Sequence, residues 1–212
     1  MIKSSIITIG RQYGSNGRAV GIELAKREDI PYYDKEILAR AAEGSGISQG
    51  VFEDCDENTR RLSFAMALDP YSLGYSINPA SRVSTEVSAA FDNAIKEIAN
   101  EGPCVIIGRH ADFILHEYKK VLRIFLYAPF EMRVQTVMER EDLSENEASK
   151  LIKKIDKERA QYYSFYTSQK WGAKESYDIC LNTGLFGVDD TVTIIQRILE
   201  LQENRPDMRP ID

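Results

Sequence analysis

A glycine-rich segment near the start of the chain holds the first residues whose types and spacing suggest chemistry. Three glycines interrupt a polar stretch that lies between an apolar run and a helical period. Glycines allow positive backbone φ angles, so successive N–H groups can point into one turn, where the following helix dipole favours negative charge. The segment predicts a phosphate-binding loop, with a tight strand-to-helix turn as the plain structural alternative. The loop residues are Gly14, Ser15, Asn16, Gly17 and Arg18.

This loop departs from the Walker A spacing, in which GxxxxGK is followed by Ser or Thr. Gln12 stands where that motif needs glycine, Arg18 where it needs lysine, and Ala19 where it needs the metal-binding hydroxyl. Arginine binds phosphate through paired hydrogen bonds, but it is not equivalent to lysine. The sequence therefore predicts phosphate binding with a weakened or different means of holding a metal ion.

Arginines follow several apolar runs at short distances. Arg40, Arg109 and Arg133 each come soon after a predicted strand. Because ligands bind beyond the carboxyl ends of parallel strands, we expect these side chains to converge there. Phosphoryl transfer needs such cations around the transferring group. The alternative is that each arginine forms an ordinary surface ion pair, as Arg133 would with Glu131 or Glu139.

A basic stripe marks one predicted helix of this acidic protein. Lys150, Lys153, Lys154 and Lys157 follow the i, i+3, i+4, i+7 spacing, and Arg159 lies a little further round the helix. A helix of this kind can close over phosphates as a lid and exclude water. The alternative is a solvated face balanced by neighbouring glutamates.

Aromatic residues and histidines provide weaker indications. The run from Tyr162 to Tyr166, followed by Trp171, favours packing against the core over stacking on a nucleobase. His110 and His116 lack the i, i+4 spacing of a metal pair. His110 directly follows Arg109 and is a candidate for a polar contact at the site.

Short apolar runs alternate with helical periods and must position these groups. Because strand and helix alternate, the pattern predicts a parallel sheet with helices on both faces. Predicted strands cover residues 5–9, 31–33, 104–107, 121–126 and 177–181, and predicted helices cover 18–27, 35–43, 85–99, 129–140, 145–161 and 189–202.

The 212 residues fit one domain, here residues 1–204, followed by a loose tail at 205–212 that contains two prolines. Residues 59–82 break the alternation. They predict either an insertion that covers the site or a dimer contact.

Composition excludes several protein classes. The chain is 43% hydrophobic and 28% charged, as expected of a globular protein rather than a disordered one. A net charge of -6 argues against nucleic-acid or anionic-membrane partners. Cys55, Cys104 and Cys180 form no CxxC spacing, so we expect neither a disulfide framework nor structural zinc. No 18-residue apolar run or signal peptide is present, and a cytoplasmic location is the expectation.

Several motifs in register resemble the cytidylate kinase-like family, a divergent branch of P-loop nucleoside monophosphate kinases. The similarity extends from residue 6 to residue 201. The motifs are Ile6-Ile-Thr-Ile-Gly10, Tyr13-Gly-Ser-Asn-Gly-Arg18, Tyr32-Tyr-Asp-Lys-Glu-Ile37, Ile107-Gly-Arg109 and Phe125-Leu-Tyr-Ala128.

This resemblance implies a P-loop NTPase-type, three-layer α/β/α fold with a five-stranded parallel sheet. It also implies a helical monophosphate-binding insertion at about residues 34–100 and a small helical lid at about 144–172. The activity it implies is transfer of the γ-phosphoryl group of ATP, with Mg²⁺, to a nucleoside monophosphate such as CMP or dCMP.

The resemblance also implies roles for individual residues. The ATP phosphates would lie on the loop from Gly14, with Arg18 in the place of the usual lysine. Arg133 would lie near the transferring phosphate, and Lys153, Lys157 and Arg159 would act from the lid. The acceptor would be bound by Asp34, Arg40, Gly108 and Arg109, and Asn182 lies in the loop where adenine is expected.

Two departures from the family pattern concern the metal. Ile107 and His110 stand where cytidylate kinases usually carry acids beside the Gly-Arg pair. Asp34 or Asp112 is the expected substitute ligand for Mg²⁺. The expected partners are small-molecule nucleotides, with a homodimer left open. Two other functions stay open: a kinase for a different small acceptor, and a nucleotide-binding protein without turnover.

Overall fold

A five-stranded, all-parallel sheet forms the centre of the molecule, as expected from the sequence. The computed structural model describes residues 5–45 and 79–203, without the side chains of residues 38 and 79–85. Cys55, most of the predicted insertion and the predicted tail lie outside the described residues. The strand order is β2-β3-β1-β4-β5. The strands are β1 (Ile6–Arg11), β2 (Tyr32–Tyr33), β3 (Cys104–Ile107), β4 (Val121–Tyr127) and β5 (Ile179–Asn182).

Helices cover both faces of this sheet. In chain order, the described helices are α1 (Gly17–Glu28), α2 (Glu36–Ser45), α3 (Pro79–Glu101), α4 (Ala111–Ile114), α5 (Phe130–Glu141), α6 (Glu145–Thr167) and α7 (Thr183–Glu203). A short 3₁₀ turn spans Lys174–Ser176. Gly187, with φ 69°, interrupts α7. In the described residues, no helix combines the length and apolarity needed to cross a bilayer.

Two separate cores confirm the three-layer arrangement. Alternate residues of the central strands point to opposite faces of the sheet, and both faces are buried. Ile7 and Ile9 pack with Leu24 of α1 and Val192 of α7. On the other face, the core that includes Ile6 is built with residues of α2, α3 and α4.

Strand β1 is longer than the sequence predicted. The prediction ended it at residue 9, but Gly10 pairs with Phe125 and Arg11 pairs with Leu126 of β4. The apolar pattern ends at Ile9, whereas the hydrogen-bonded ladder continues because β4 extends beside it. The loop therefore begins at Gln12, and Arg11 lies at the carboxyl edge of the sheet.

Helix α6 begins at a capping box and also runs beyond its predicted end. The Ser144 side chain accepts a hydrogen bond from the Glu147 N–H, and the Glu147 side chain accepts one from the Ser144 N–H. The predicted helix stopped at residue 161, but α6 continues to Thr167 through the aromatic run. Val134 and Val137 of α5 join Ala148 and Ile152 of α6 in a third buried cluster.

Candidate active site

The glycine-rich loop is held from below by side-chain hydroxyls. Ser15 is buried, and its Oγ donates a hydrogen bond to the Gln12 carbonyl at 2.9 Å. From the start of α7, Thr183 Oγ1 donates to the Ser15 carbonyl at 2.7 Å. These contacts satisfy polar groups beneath the loop, so its shape is fixed before any ligand binds.

The loop leaves the first turn of α1 open to an anion. Gly14 has φ 80°, and a Cβ there would lie 2.8 Å from the Arg133 carbonyl oxygen, so only glycine fits. The N–H of Val20 donates to the Asn16 carbonyl at 3.0 Å in the first turn of α1. Earlier amides in a helix lack acceptors within it, and the helix dipole favours negative charge at that end.

Asp34, directly after β2, is an acidic group that contacts Arg18 at the end of this loop. Arg18 Nε donates to its Oδ2 at 3.0 Å, and Arg11 Nη2 lies 4.0 Å from its Oδ1. Tyr32 Oη is 3.4 Å from Oδ2. Burial and the charge of Asp34 raise the pKa of Tyr32 to about 12, so this phenol stays protonated and donates. Asp34 therefore balances the positive charge of two arginines.

The predicted lid helix lies directly against the loop through Asp156, a residue that the sequence analysis missed. Asp156 Oδ1 accepts a hydrogen bond from the Tyr13 N–H at 2.8 Å, and Oδ2 accepts one from Arg133 Nη1 at 2.6 Å. The signal in the sequence was an acidic residue, Asp156, among the lysines of the basic stripe. It went unused because charge spacing alone does not tell which side of a helix contacts another element.

Arg159 completes the contact between lid and loop. Its Nη1 donates to the Arg11 carbonyl at 2.9 Å, and its guanidinium lies 5.6 Å from the centre of the Tyr13 ring. Burial and the neighbouring Arg11 charge lower the pKa of Arg159 to about 9. The side chain stays protonated at neutral pH. Two guanidinium groups therefore lie near each other, an arrangement that a bound anion would stabilise.

The Gly-Arg pair after β3 lies on an unusual stretch of backbone. Gly108, Arg109 and His110 have φ angles of 69°, 55° and 43°. Residues other than glycine adopt this left-handed conformation at a cost in free energy. Backbone strain of this kind clusters at functional sites. The Arg109 guanidinium lies 5.3 Å from the centre of the Phe91 ring, and His110 stacks on Tyr166 with ring centroids 5.0 Å apart.

Arg40 does not join this cluster, contrary to the expected convergence with Arg109. Its guanidinium pairs with Glu101 and lies 5.4 Å from the centre of the Tyr33 ring. Glu101 ends α3 just before β3 begins, which places the ion pair toward the amino edge of the sheet. Proximity to a strand in sequence did not reveal this direction.

The remaining predicted residues have more local contacts. Arg133 is buried and joins Asp156 to the Tyr13 carbonyl, so it braces the lid from beneath the loop. Lys153 and Lys157 are exposed on α6, and Lys153 Nζ lies 5.3 Å from the centre of the Phe130 ring. Asn182 Oδ1 accepts a hydrogen bond from the Gly184 N–H at 3.0 Å, at the start of α7.

Comparison with known proteins decides the family. The family model described as the cytidylate kinase-like family matches residues 6–185. The chain belongs to the cytidylate kinase-like family. It is 25% identical to a cytidylate kinase of Methanopyrus kandleri over 96% of this chain and 97% of that one. A second cytidylate kinase, from Methanosphaera stadtmanae, is 29% identical over 54% of this chain and 65% of that protein.

Solved structures share the fold of this chain. The crystal structure of an uncharacterized protein from Eubacterium ventriosum has a TM-score of 0.68 and 30% identity, and the match covers 92% of this chain and 98% of that one. A shikimate kinase from Bacteroides thetaiotaomicron has a TM-score of 0.52 and 13% identity over 92% of this chain and 98% of that one. The second likeness, at 13% identity, concerns the fold alone.

Few of the described residues suit a magnesium ion. In the parts of the chain that the structure describes, no three His, Cys, Asp or Glu side chains form a metal-binding group. Asp112, one expected substitute, is buried and its Oδ2 accepts a hydrogen bond from Tyr163 at 2.6 Å. Asp34 lies beside the loop and fits Mg²⁺ as a single carboxylate, because Mg²⁺ often takes one carboxylate together with substrate phosphates.

Proposed function

We propose that this protein transfers the γ-phosphoryl group of ATP to a nucleoside monophosphate, with CMP or dCMP as the preferred acceptor. One observation carries the proposal: a preformed glycine-rich loop lies among arginines of three elements, Arg11 from β1, Arg18 from α1 and Arg159 from the lid. Cations arranged in this way suit a polyphosphate. The names of the cytidylate kinase relatives support the choice of acceptor.

In this proposal the chain binds and aligns two phosphorylated molecules. The amides at the start of α1 bind the ATP phosphates, and Arg159 of the lid offsets part of the charge that spreads over the transferring group. Asp34 is the described residue that would hold Mg²⁺, and the ion would supply further positive charge against the ATP phosphates. Arg109 binds the acceptor phosphate, whose oxygen is the nucleophile and needs no base from the protein.

The docked lid excludes water from this reaction. Asp156 and Arg159 hold α6 against the loop, and Lys153 and Lys157 add positive charge from its exposed face. Exclusion of water strengthens the charged contacts and prevents transfer of the phosphoryl group to water.

The test is ADP release in a coupled assay with ATP, Mg²⁺ and a panel of nucleoside monophosphates. We expect turnover with CMP or dCMP, and we expect Arg109→Ala to raise the KM for the acceptor about tenfold or more while the KM for ATP changes little. Circular dichroism checks folding. Arg197→Ala, an exposed arginine of α7 paired with Glu200, is the matched control and should behave as the wild type.

Other outcomes would replace this proposal. Turnover of a different metabolite, with every nucleotide inert, would indicate a kinase for another small acceptor. ATP binding that raises the melting temperature without turnover of any acceptor would indicate a nucleotide-binding protein without catalysis. The cytoplasmic location and the homodimer stay predictions.

A further inference from the structure

The first residue of α1 has no room for a side chain because Arg11 fills that space. A Cβ at Gly17 would lie 2.6 Å from Arg11 Cβ and 2.9 Å from Arg11 Cγ. Real Cβ atoms do not approach other carbons this closely. The next contact, with Leu126 Cδ1 at 3.6 Å, is an ordinary one. With Arg11 in this position, residue 17 has to be glycine, because the Cβ and Cγ atoms of Arg11 occupy the space of its side chain.

The far end of the same side chain lies on a second glycine. A Cβ at Gly108 would lie 2.1 Å from Arg11 Nη1 and 3.3 Å from its Cζ. Arg11 Nη2 is 4.0 Å from Asp34 Oδ1, and the side chain is 20% exposed. The guanidinium thus lies between the loop, the Gly-Arg pair after β3 and the acid after β2.

Arg18, which the sequence suggested as the lysine substitute, is placed differently. Its side chain is 64% exposed and contacts Asp34 through Nε. Arg11 is more enclosed, and it lies at the carboxyl edge where the donor and acceptor regions meet. In the Walker A motif the lysine comes at the start of the helix and reaches the β- and γ-phosphates. In this chain Arg18 stands at the motif's lysine position, and Gly17, the first residue of α1, is the glycine before it.

We propose that Arg11, at the end of β1, supplies the cation at the transferring phosphoryl group that a Walker lysine supplies from the helix. Gly17 and Gly108 lack side chains so that Arg11 can pass between them. This inference rests on the proposed phosphotransferase function. It places the cation that contacts the transferring phosphate on β1 instead of α1. Arg18 then has the lesser role of an exposed side chain that contacts Asp34.

Two changes test the assignment, one that removes the charge and one that moves it. Arg11→Gln keeps most of the stem and removes the positive charge. In R11G/G17K the stem is removed and a lysine is placed on the helix, in space where the next contact is 3.6 Å away. Calorimetry measures ATP affinity, the coupled assay measures kcat, and thermal melting monitors folding.

The expected result is that Arg11→Gln weakens ATP binding about 10- to 100-fold and lowers kcat, because hydrogen bonds to charged groups are lost. R11G/G17K should regain about tenfold or more of that loss. Arg18→Ala should cost less than Arg11→Gln. Arg197→Ala, far along the exposed face of α7, is the control for loss of any arginine.

Outcomes against the inference are distinct from failure of the proposed function. If the wild type binds no ATP, the proposed function and the inference both fail. If the wild type binds and turns over ATP and Arg11→Gln matches it, only the inference fails. A larger loss for Arg18→Ala than for Arg11→Gln also overturns it. Should R11G/G17K not fold, Arg11→Lys decides: it must retain more affinity than Arg11→Gln.

Discussion

Asp34 is the residue at which the charges of the candidate site balance. Arg18 and Arg11 lie against its two oxygens, and the Tyr32 hydroxyl lies beside one of them. This carboxylate offsets guanidinium groups that would otherwise repel one another. A bound polyphosphate would compete with Asp34 for the same arginines, which frees the carboxylate for a metal ion. Asp34 would thus contact the arginines when no polyphosphate is bound and the metal ion when one is.

Asp112 gives a prediction for the dependence of stability on pH. Burial raises the pKa of Asp112, although the carboxylate accepts a hydrogen bond from Tyr163. The folded state therefore binds this proton more tightly than the unfolded chain, where the pKa is about 3.9. The stability that this group contributes is fully present below the unfolded pKa, and it is lost as the pH rises through the folded pKa.

Asp112→Asn removes this loss because the amide does not ionise, while its oxygen can still accept from Tyr163. We expect the unfolding free energy of the variant, relative to the wild type, to rise as the pH is raised from about 4.5 to about 7.5. Urea unfolding at several pH values measures the difference. A difference that stays constant across this range would contradict the assignment of the burial effect to Asp112.

At the scale of elements, an ion pair between α5 and α6 supports the contact between α6 and the loop. The Arg133 side chain is 8% exposed and that of Asp156 is 18% exposed, with 2.6 Å between Nη1 and Oδ2. Asp156→Ala leaves Arg133 buried without its carboxylate, and we expect a loss of about 3 kcal/mol in the unfolding free energy. Urea unfolding checks the value. Lys154→Ala, an exposed change on the same helix, should cost little, and equal losses for both would argue against the ion pair.

Elements were predictable from the sequence where hydrophobic period decides the structure. Every predicted strand and helix has an observed counterpart. The spacing of apolar residues along each segment indicates directly which of its side chains are buried. The ends were less predictable: β1 gains Gly10 and Arg11 through pairing with β4, and α6 continues to Thr167. These extensions depend on neighbours that are distant in the chain, which a local pattern does not contain.

Site residues were less predictable than elements for the same reason. The loop at Gly14 was found because glycine spacing and the strand-to-helix context are local features. Arg40 was expected beside Arg109 and pairs with Glu101 instead, and Asp156 was not identified, because the direction of a side chain depends on its partner. Arg40 lies toward the amino edge because it pairs with Glu101. Asp156 of α6 contacts the loop because it accepts a hydrogen bond from the Tyr13 N–H. Composition and charge spacing carry no record of either contact.

For the whole molecule, Gly21 sets the distance between one helix layer and the sheet. A Cβ at this position would lie 2.6 Å from Ile107 Cδ1 and 3.2 Å from Tyr32 Cε2. Ile107 is completely buried in the core beneath α1, so its side chain has little freedom to move aside. Since α1 directly follows the glycine-rich loop, the distance between α1 and the sheet fixes the position of that loop relative to Asp34.

The Gly21→Ala variant therefore tests whether helix propensity or the packing of α1 against the sheet has the larger effect on stability. Alanine favours an isolated helix by about 1 kcal/mol over glycine, whereas overpacking costs about 1–3 kcal/mol. We expect a net loss of about 1 kcal/mol in urea unfolding, together with weaker ATP binding, because α1 must rise from the sheet. Gly44→Ala in α2 is the matched control: a Cβ there meets nothing within 4 Å, so it should leave stability unchanged or raise it. If both variants gain stability, the layers tolerate the extra methyl group, and the height of α1 does not control the loop.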